Sequence, residues 1–101
     1  MSMINAEDLA THIPYGKDKA VSREFLCMLF GISDRAVRRL VHDARDAGHI
    51  IINDQTGAGY YRSDDPKDII RQYRQNKSRA LAILAQQKHL RRRLKDAGVE
   101  V

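Results

Sequence analysis

The chain has 101 residues, of which 43% are hydrophobic and 31% are charged, and it carries a net charge of +5 at pH 7. A chain of this length forms one domain, or one small domain with an extension, and its core is too modest for a deep catalytic cleft. The basic balance favours a polyanionic partner, either nucleic acid or an anionic membrane surface.

The charge is unevenly distributed along the chain. Residues 1–65 carry 8 Lys and Arg against 10 Asp and Glu, a net charge of −2. Residues 66–101 carry 10 Lys and Arg against 3 Asp and Glu, a net charge of +7. The sequence therefore predicts two parts, a nearly neutral domain over 1–65 and a basic segment over 66–101.

Several function classes are disfavoured by what the sequence lacks. Cys27 is the one cysteine, which predicts no internal disulfide and fits a reducing cytoplasm. No Cys or His pair has the spacing of zinc ligands, and no phosphate-binding glycine loop or paired carboxylate motif occurs. No apolar run approaches the roughly 20 residues of a membrane span, and the N-terminus lacks a signal-peptide pattern. We expect a cytoplasmic protein without metal, cofactor, enzyme activity or membrane contact.

The first third of the chain predicts two short helices. Asn5 is a suitable N-cap for a helix over 6–13, which Pro14 ends, and 15–19 is a polar loop. Ser22 is a suitable N-cap for a second helix over 23–30 that ends at Gly31. Three residues give this second helix an apolar face at helical spacing, namely Phe25, Leu26 and Leu29.

A third helix and a hairpin follow. Ser33 is the predicted N-cap of a helix over 34–47, and Gly48 suits its C-terminal end. Its apolar residues lie three or four apart and form one buried stripe, namely Val37, Leu40, Val41 and Ala44. The β-branched run 50–52 and the segment 60–62 flank a turn-rich stretch, which predicts a β-hairpin. Within it, Tyr60 and Tyr61 are expected to point to opposite faces.

A long helix is predicted from Pro66 to about Ala97, with Asp65 as its N-cap. Positions 69, 73, 76, 80, 83, 87, 90 and 94 alternate steps of four and three, as in a heptad pattern, although the polar Asn76 and Gln87 weaken it. We call the apolar members, with the neighbouring Leu84, the C-terminal stripe: Ile69, Tyr73, Ala80, Ile83, Leu84, Leu90 and Leu94. The stripe predicts homodimerisation. Two alternatives stay open: the helix packs on its own domain, or it is a basic arm for nucleic acid or protein.

The residues around Gly31 have the spacing of a helix-turn-helix. Apolar residues lie five and one before it and one, six and nine after it, and the small Cys27 lies four before it. The small residue lets two helices approach closely, and glycine permits a positive φ in the turn. Two helices joined in this way and followed by a hairpin are typical of a winged helix-turn-helix.

The segment 21–48 therefore resembles a helix-turn-helix of the winged-helix superfamily. The whole chain is similar to small phage and prophage helix-turn-helix proteins of Gram-positive bacteria, which have a motif like SREFLCMLFGISDRAVRRLVHDARDAG, then a GAGYY wing and a basic C-terminal helix. The expected fold class is mainly α with a small β-hairpin. The resemblance implies a transcriptional or replication regulator that binds double-stranded DNA in the bacterial cytoplasm, in association with the nucleoid.

The resemblance also implies which residues contact DNA. In such proteins the third helix enters the major groove with its N-terminal residues nearest the base edges. The implied contacts on this helix are Ser33, Asp34, Arg35, Arg38, Arg39 and His42. Those implied for the wing are Gln55, Thr56, Gly57 and Arg62. Three acidic residues of the same helix, Asp34, Asp43 and Asp46, reduce its positive charge and restrict which DNA it accepts.

Two other functions remain open from the sequence. The mixed charge of the third helix also suits a phage-type module that binds a host protein. RNA or single-stranded DNA could bind the basic C-terminal helix, although only 6% of the residues are aromatic and single-strand sites usually stack bases on aromatic rings.

Overall fold

The computed structural model describes residues 4–55 and 59–101 and contains four α-helices and three β-strands within those ranges. In chain order these are α1 (Ala6–Thr11), β1 (Val21–Ser22), α2 (Arg23–Phe30), α3 (Asp34–Asp46), β2 (Ile51–Asn53), β3 (Gly59–Arg62) and α4 (Pro66–Asp96), with a 3₁₀ turn at Lys17–Lys19. The predicted class, mainly helical with a small β-structure and a long C-terminal helix, is confirmed.

Each predicted N-cap residue accepts a hydrogen bond from the first turn of its helix. Asn5 Oδ1 accepts from Asp8 N at 2.8 Å, and Asp8 Oδ2 accepts from Asn5 N in return, which completes a capping box. Ser22 Oγ accepts from Phe25 N at 3.0 Å, and Ser33 Oγ accepts from Ala36 N at 3.1 Å. Asp65 Oδ1 accepts from Lys67 N at the start of α4.

The sheet has three antiparallel strands in the order β1-β3-β2, whereas the sequence predicted only the β2–β3 hairpin. In β1, Val21 pairs with Tyr60 and Ser22 with Gly59. A two-residue strand is too short for an alternating pattern, so the pairing depends on tertiary contacts that bring the segment before α2 beside β3. The predicted hairpin residues Thr56 and Gly57 lie outside the described residues.

The core lies between the first three helices and one face of the sheet. The buried residues of this cluster come from α1 and the segment after it, from α2, from α3 and from the strands: Leu9, Ala10, Ile13, Leu26, Val37, Val41, Ala44, Ile51 and Tyr60. Leu40 is only partly buried and packs against this cluster. The predicted stripe of α3 is therefore its buried face.

The burial of α2 and β3 depends on contacts that the sequence does not show. The predicted apolar face of α2 is buried only at Leu26, whereas Phe25 and Leu29 are each 49% exposed. Tyr60 and Tyr61, which were predicted to point to opposite faces, are both buried. Both tyrosines can be buried because β3 is the central strand of the sheet, where both faces of a strand can be covered.

Several helix and strand ends also differ from the prediction. α1 ends at Thr11 rather than at residue 13, because the residue before Pro14 is disfavoured in the helical region. α3 ends one residue early, with Ala47 as its C-cap and Gly48 at φ 99°. Ile50 is 46% exposed and precedes β2, which begins at Ile51.

The chain forms two compact units, residues 1–69 and 70–101. The first turn of α4 lies in the first unit, where Ser63 Oγ donates a hydrogen bond to Asp68 Oδ2 at 2.8 Å. The sequence placed the change from the nearly neutral part to the basic part at 65/66, just before this turn. The second unit consists of the rest of α4 and the residues after it.

Candidate nucleic-acid interface

α3 presents a basic surface opposite its buried stripe. Arg35, Arg38, Arg39 and His42 follow one another at spacings of three, one and three residues, which puts them on one side of a helix. All four side chains are exposed, while Val37 and Val41 on the opposite side are buried. We call these four residues the outward face of α3.

The N-terminus of α3 adds a second feature of an anion-binding surface. The first N–H groups of an α-helix lack partners within the helix and attract anions. Ser33, which the sequence implied as a DNA contact, is exposed and caps the helix through its Oγ. Because this bond uses the hydroxyl oxygen as an acceptor, the hydroxyl proton remains available to donate to a phosphate.

Asp34 lies beside this surface but makes internal contacts. Its Oδ1 accepts a hydrogen bond from Arg23 Nε at 2.9 Å, and its Oδ2 forms an ion pair with Arg38 Nε at 2.9 Å. The pKa of Arg23 is raised above its ordinary value, first by the hydrogen bond to Asp34 and then by the Tyr60 side chain. The carboxylate thus links α2 to the start of α3.

The arginines of the outward face differ in their partners. Arg38 is held by Asp34, whereas Arg35 and Arg39 form no ion pair with any residue in 4–55 or 59–101. Exposed ion pairs of this kind contribute little to stability, about 0–1 kcal/mol. The effect of the Asp34–Arg38 ion pair is on geometry, because it orients Arg38. Arg35 and Arg39 have no ion pair that would orient them in the same way.

The far end of the outward face is acidic. His42 Nδ1 lies 3.7 Å from Asp43 Oδ1 and 3.4 Å from Asp46 Oδ2, and the three side chains are exposed. Their possible metal-ligating atoms lie within 4.8 Å of one another, although exposed acidic groups commonly have this spacing without a metal. The positive surface of α3 is therefore confined to its first half.

Arg62, implied by the sequence as a wing contact, is used inside the first unit. Its Nε donates to the Ile13 carbonyl at 2.6 Å, and its guanidinium lies 4.4 Å from the centre of the Tyr15 ring. Its backbone N–H also donates to Pro14 O at 2.8 Å. We therefore leave Arg62 out of the proposed interface. Gln55 is exposed in the hairpin.

Sequence reasoning missed two arginines that position the interface. Arg45 donates from Nε and Nη2 to the Ile51 carbonyl at 3.1 and 2.8 Å, and from Nη2 to Asn53 Oδ1 at 3.1 Å, which fixes the end of α3 to β2. Arg23 fixes the start of α3 through Asp34. The sequence does not indicate the pairing of either arginine, because the local residue pattern is the same for a solvated arginine on a helix surface and for a paired one.

The part of α4 in the second unit is exposed along most of its length. Within it, the stripe residues that are large and apolar, from Tyr73 to Leu94, are between 38% and 62% exposed. Residues 69–95 contain nine Lys and Arg and no Asp or Glu. The helix thus combines an exposed apolar stripe with an unbroken positive charge, and its last turns line an open pocket with Lys88, Arg91, Arg92 and Lys95.

Comparisons with known proteins give no independent identification. The chain matches no protein-family model, no curated protein sequence and no solved structure. Among the described residues, no helix has the length and apolar character needed to cross a membrane. The resemblance to winged helix-turn-helix proteins therefore stays a prediction.

Proposed function

We propose that the chain is a winged helix-turn-helix that binds double-stranded DNA by inserting α3 into the major groove. The observation that carries the proposal is the outward face of α3, where three arginines are exposed opposite a buried stripe. α3 is the second helix of a pair, and only residues 31–33 separate it from α2. A short helix-helix connection of this kind is how helix-turn-helix proteins present a recognition helix.

The topology of the first unit supports the same reading. A strand precedes α2, a hairpin follows α3, and the first strand pairs with the second strand of the hairpin to give the order β1-β3-β2. This arrangement ties both ends of the α2–α3 pair to one sheet. In a winged helix-turn-helix the hairpin forms the wing, which would contact DNA beside the groove that α3 occupies.

The residue chemistry of α3 suits a duplex. The arginine fork matches the O6 and N7 acceptors of guanine in the major groove, and the helix N-terminus with Ser33 suits a backbone phosphate. Asp43 and Asp46, at the far end, would repel phosphates. Contact is therefore limited to the first turns of α3, which restricts how the helix can enter the groove.

We also propose that α4 joins two copies of the chain through its stripe. The exposed leucine and isoleucine side chains of the stripe would be buried in such a dimer. Pairing also brings two carboxylate-free basic segments together, which is unfavourable unless a polyanion is present. DNA would supply that charge, and the dimer would present two α3 helices to two half-sites.

The test is selection of binding sites from a random duplex pool at near-physiological salt. The wild-type chain is compared with Arg35→Ala/Arg39→Ala, and Lys17→Ala/Lys19→Ala is the control because it removes the same charge away from α3. We expect the wild type and the control to enrich the same short motif and the α3 variant to lose it. No enrichment by the wild type, or the same motif from the α3 variant, contradicts the proposal.

A second candidate function, binding of a host protein, is favoured by α2. Phe25, Met28 and Leu29 lie at helical spacing and are 49%, 78% and 49% exposed, and contiguous apolar surface of this kind often marks a protein contact. Affinity capture with the wild type and with Met28→Asp tests it. A specific partner lost in the variant, together with no duplex enrichment, would favour this function over DNA binding.

A further inference from the structure

A line of contacts leads from α2 to the outward face of α3. The Nε of Arg23, at the start of α2, donates to Asp34 Oδ1 at 2.9 Å. The other oxygen of Asp34 pairs with Arg38 Nε at 2.9 Å. The side chain of Arg23 is only 25% exposed, so the carboxylate is fixed to a well-packed part of the unit.

These contacts restrict the orientation of Arg38. A free arginine side chain has about 2 kcal/mol of rotamer entropy, part of which is lost on forming a specific contact. The ion pair engages Nε, while the two terminal amino groups lie at the other edge of the guanidinium. The Arg38 side chain is 62% exposed, so this edge is open to a ligand. It is also the edge whose paired donors match O6 and N7 of guanine.

We propose that Asp34 is a positioning residue that holds Arg38 for recognition of a guanine in duplex DNA. The proposal rests on the proposed function and makes one base position of the site depend on an acidic side chain. Arg35 and Arg39 have no such partner among the described residues, so no comparable ion pair fixes the orientation of either side chain before DNA binds.

The charge of Asp34 lowers affinity for DNA, whereas its positioning role raises selectivity at one base position. The two roles can therefore be separated by measuring both quantities. Asp34→Asn removes a negative charge near the DNA, so affinity for any duplex increases. It also releases Arg38, so selectivity at one position decreases. Asp43→Asn is the matched control, because it removes the same charge from the same helix while the Asp43 carboxylate lies beside His42 rather than Arg38.

The experiment measures affinity for the selected duplex and for versions with each base pair changed in turn. The position read by Arg38 is the one at which Arg38→Ala loses discrimination, about tenfold for a guanine contact. We expect Asp34→Asn to lose most of that discrimination and Asp43→Asn to keep it. In the Arg38→Ala background, Asp34→Asn should cause no further loss of selectivity.

Three outcomes would overturn the proposal, and they differ from one another. Full discrimination in Asp34→Asn overturns the positioning role alone. An unchanged base preference in Arg38→Ala overturns base recognition by Arg38 while DNA binding by α3 stands. No motif from the wild-type chain overturns the proposed function itself.

A measurement on the wild-type chain covers the case in which Asp34→Asn fails to fold. Nitrogen-15 NMR of arginine side chains reports the exchange of each Nε–H proton with water. Arg38 should exchange several-fold more slowly than Arg39, which is the control on the same face. Equal exchange rates for the two would overturn the positioning role.

Discussion

The two units of the chain differ in how they use their side chains. Residues 1–69 bury a core of helices and strands and carry 9 Lys and Arg against 11 Asp and Glu. Residues 70–101 carry 9 Lys and Arg against 2 Asp and Glu, and Gln72 is their one buried side chain. The packed first unit can hold a few side chains in fixed orientations. The second unit offers charged and apolar side chains that are exposed and not held in one orientation. In a DNA-binding protein the first property gives selectivity and the second gives affinity.

The largest expected effect concerns core side chains of the first unit. Tyr61→Ala should lower the free energy of unfolding by about 3–5 kcal/mol, because a fully buried aromatic ring is removed from the sheet. Leu84→Ala is the control in the second unit, where the side chain is 61% exposed. Urea denaturation of the dilute protein measures both, and similar losses for the two variants would remove the distinction between the units.

The next prediction tests the charge of the second unit. Arg91→Gln/Arg92→Gln/Arg93→Gln should weaken binding to every duplex sequence alike and leave the selected motif unchanged. The plot of log affinity against log salt should become shallower by up to about 3, since each phosphate contact contributes about 0.9 to the slope. Anisotropy titrations at several salt concentrations measure this. An altered motif would mean that α4 reads bases.

A third prediction concerns the dimer. Ile83→Asp/Leu90→Asp should lower the fraction of dimer in sedimentation experiments, because charged groups would enter the apolar seam. Ser78→Asp is the control, since it adds a carboxylate to α4 away from the stripe. For the wild type, added salt or duplex DNA should raise the dimer fraction by screening the basic flanks. A monomer under all these conditions contradicts dimerisation through the stripe.

The smallest expected effect concerns the turn between α2 and α3. Gly31 has φ 65°, and a Cβ atom added there would meet no other atom within 4 Å. Gly31→Ala should therefore cost only the backbone strain of about 1–2 kcal/mol, and Gly31→Asn should cost less. Thermal unfolding measures both variants. A loss of stability as large as that for Tyr61→Ala would mean that Gly31 stabilises the first unit through more than its backbone conformation.

The sequence predicted the parts of the fold that depend on local signals. Residue preferences within a few positions predict the extent of α4 and the helix N-caps at Asn5, Ser22 and Ser33. The pairing of Val21 with Tyr60 could not be predicted, because β1 has only two residues and forms through a contact distant in sequence. The exposure of Phe25 and Leu29 could not be predicted either, since spacing identifies a face but not what covers it.

The sequence predicted which residues form the candidate site, but not the ion pairs and hydrogen bonds that those residues make. The sequence identified the outward arginines of α3, and the structure describes them as exposed. It also implied Asp34 and Arg62 as DNA contacts, but the structure pairs Asp34 with two arginines and directs Arg62 to the Ile13 carbonyl. Charged side chains gain such partners only when the fold brings distant segments together.

Sequence recognition by α3 is tested most directly by comparing the wild-type affinity for the selected duplex with that for a scrambled duplex over a range of salt concentrations. We predict that both affinities fall steeply with salt, because α4 supplies charge, while the selected duplex stays tighter by a factor of about 10³ or more. Equal affinity for the two duplexes at every salt concentration would contradict sequence recognition by α3 and leave only the charge of the second unit.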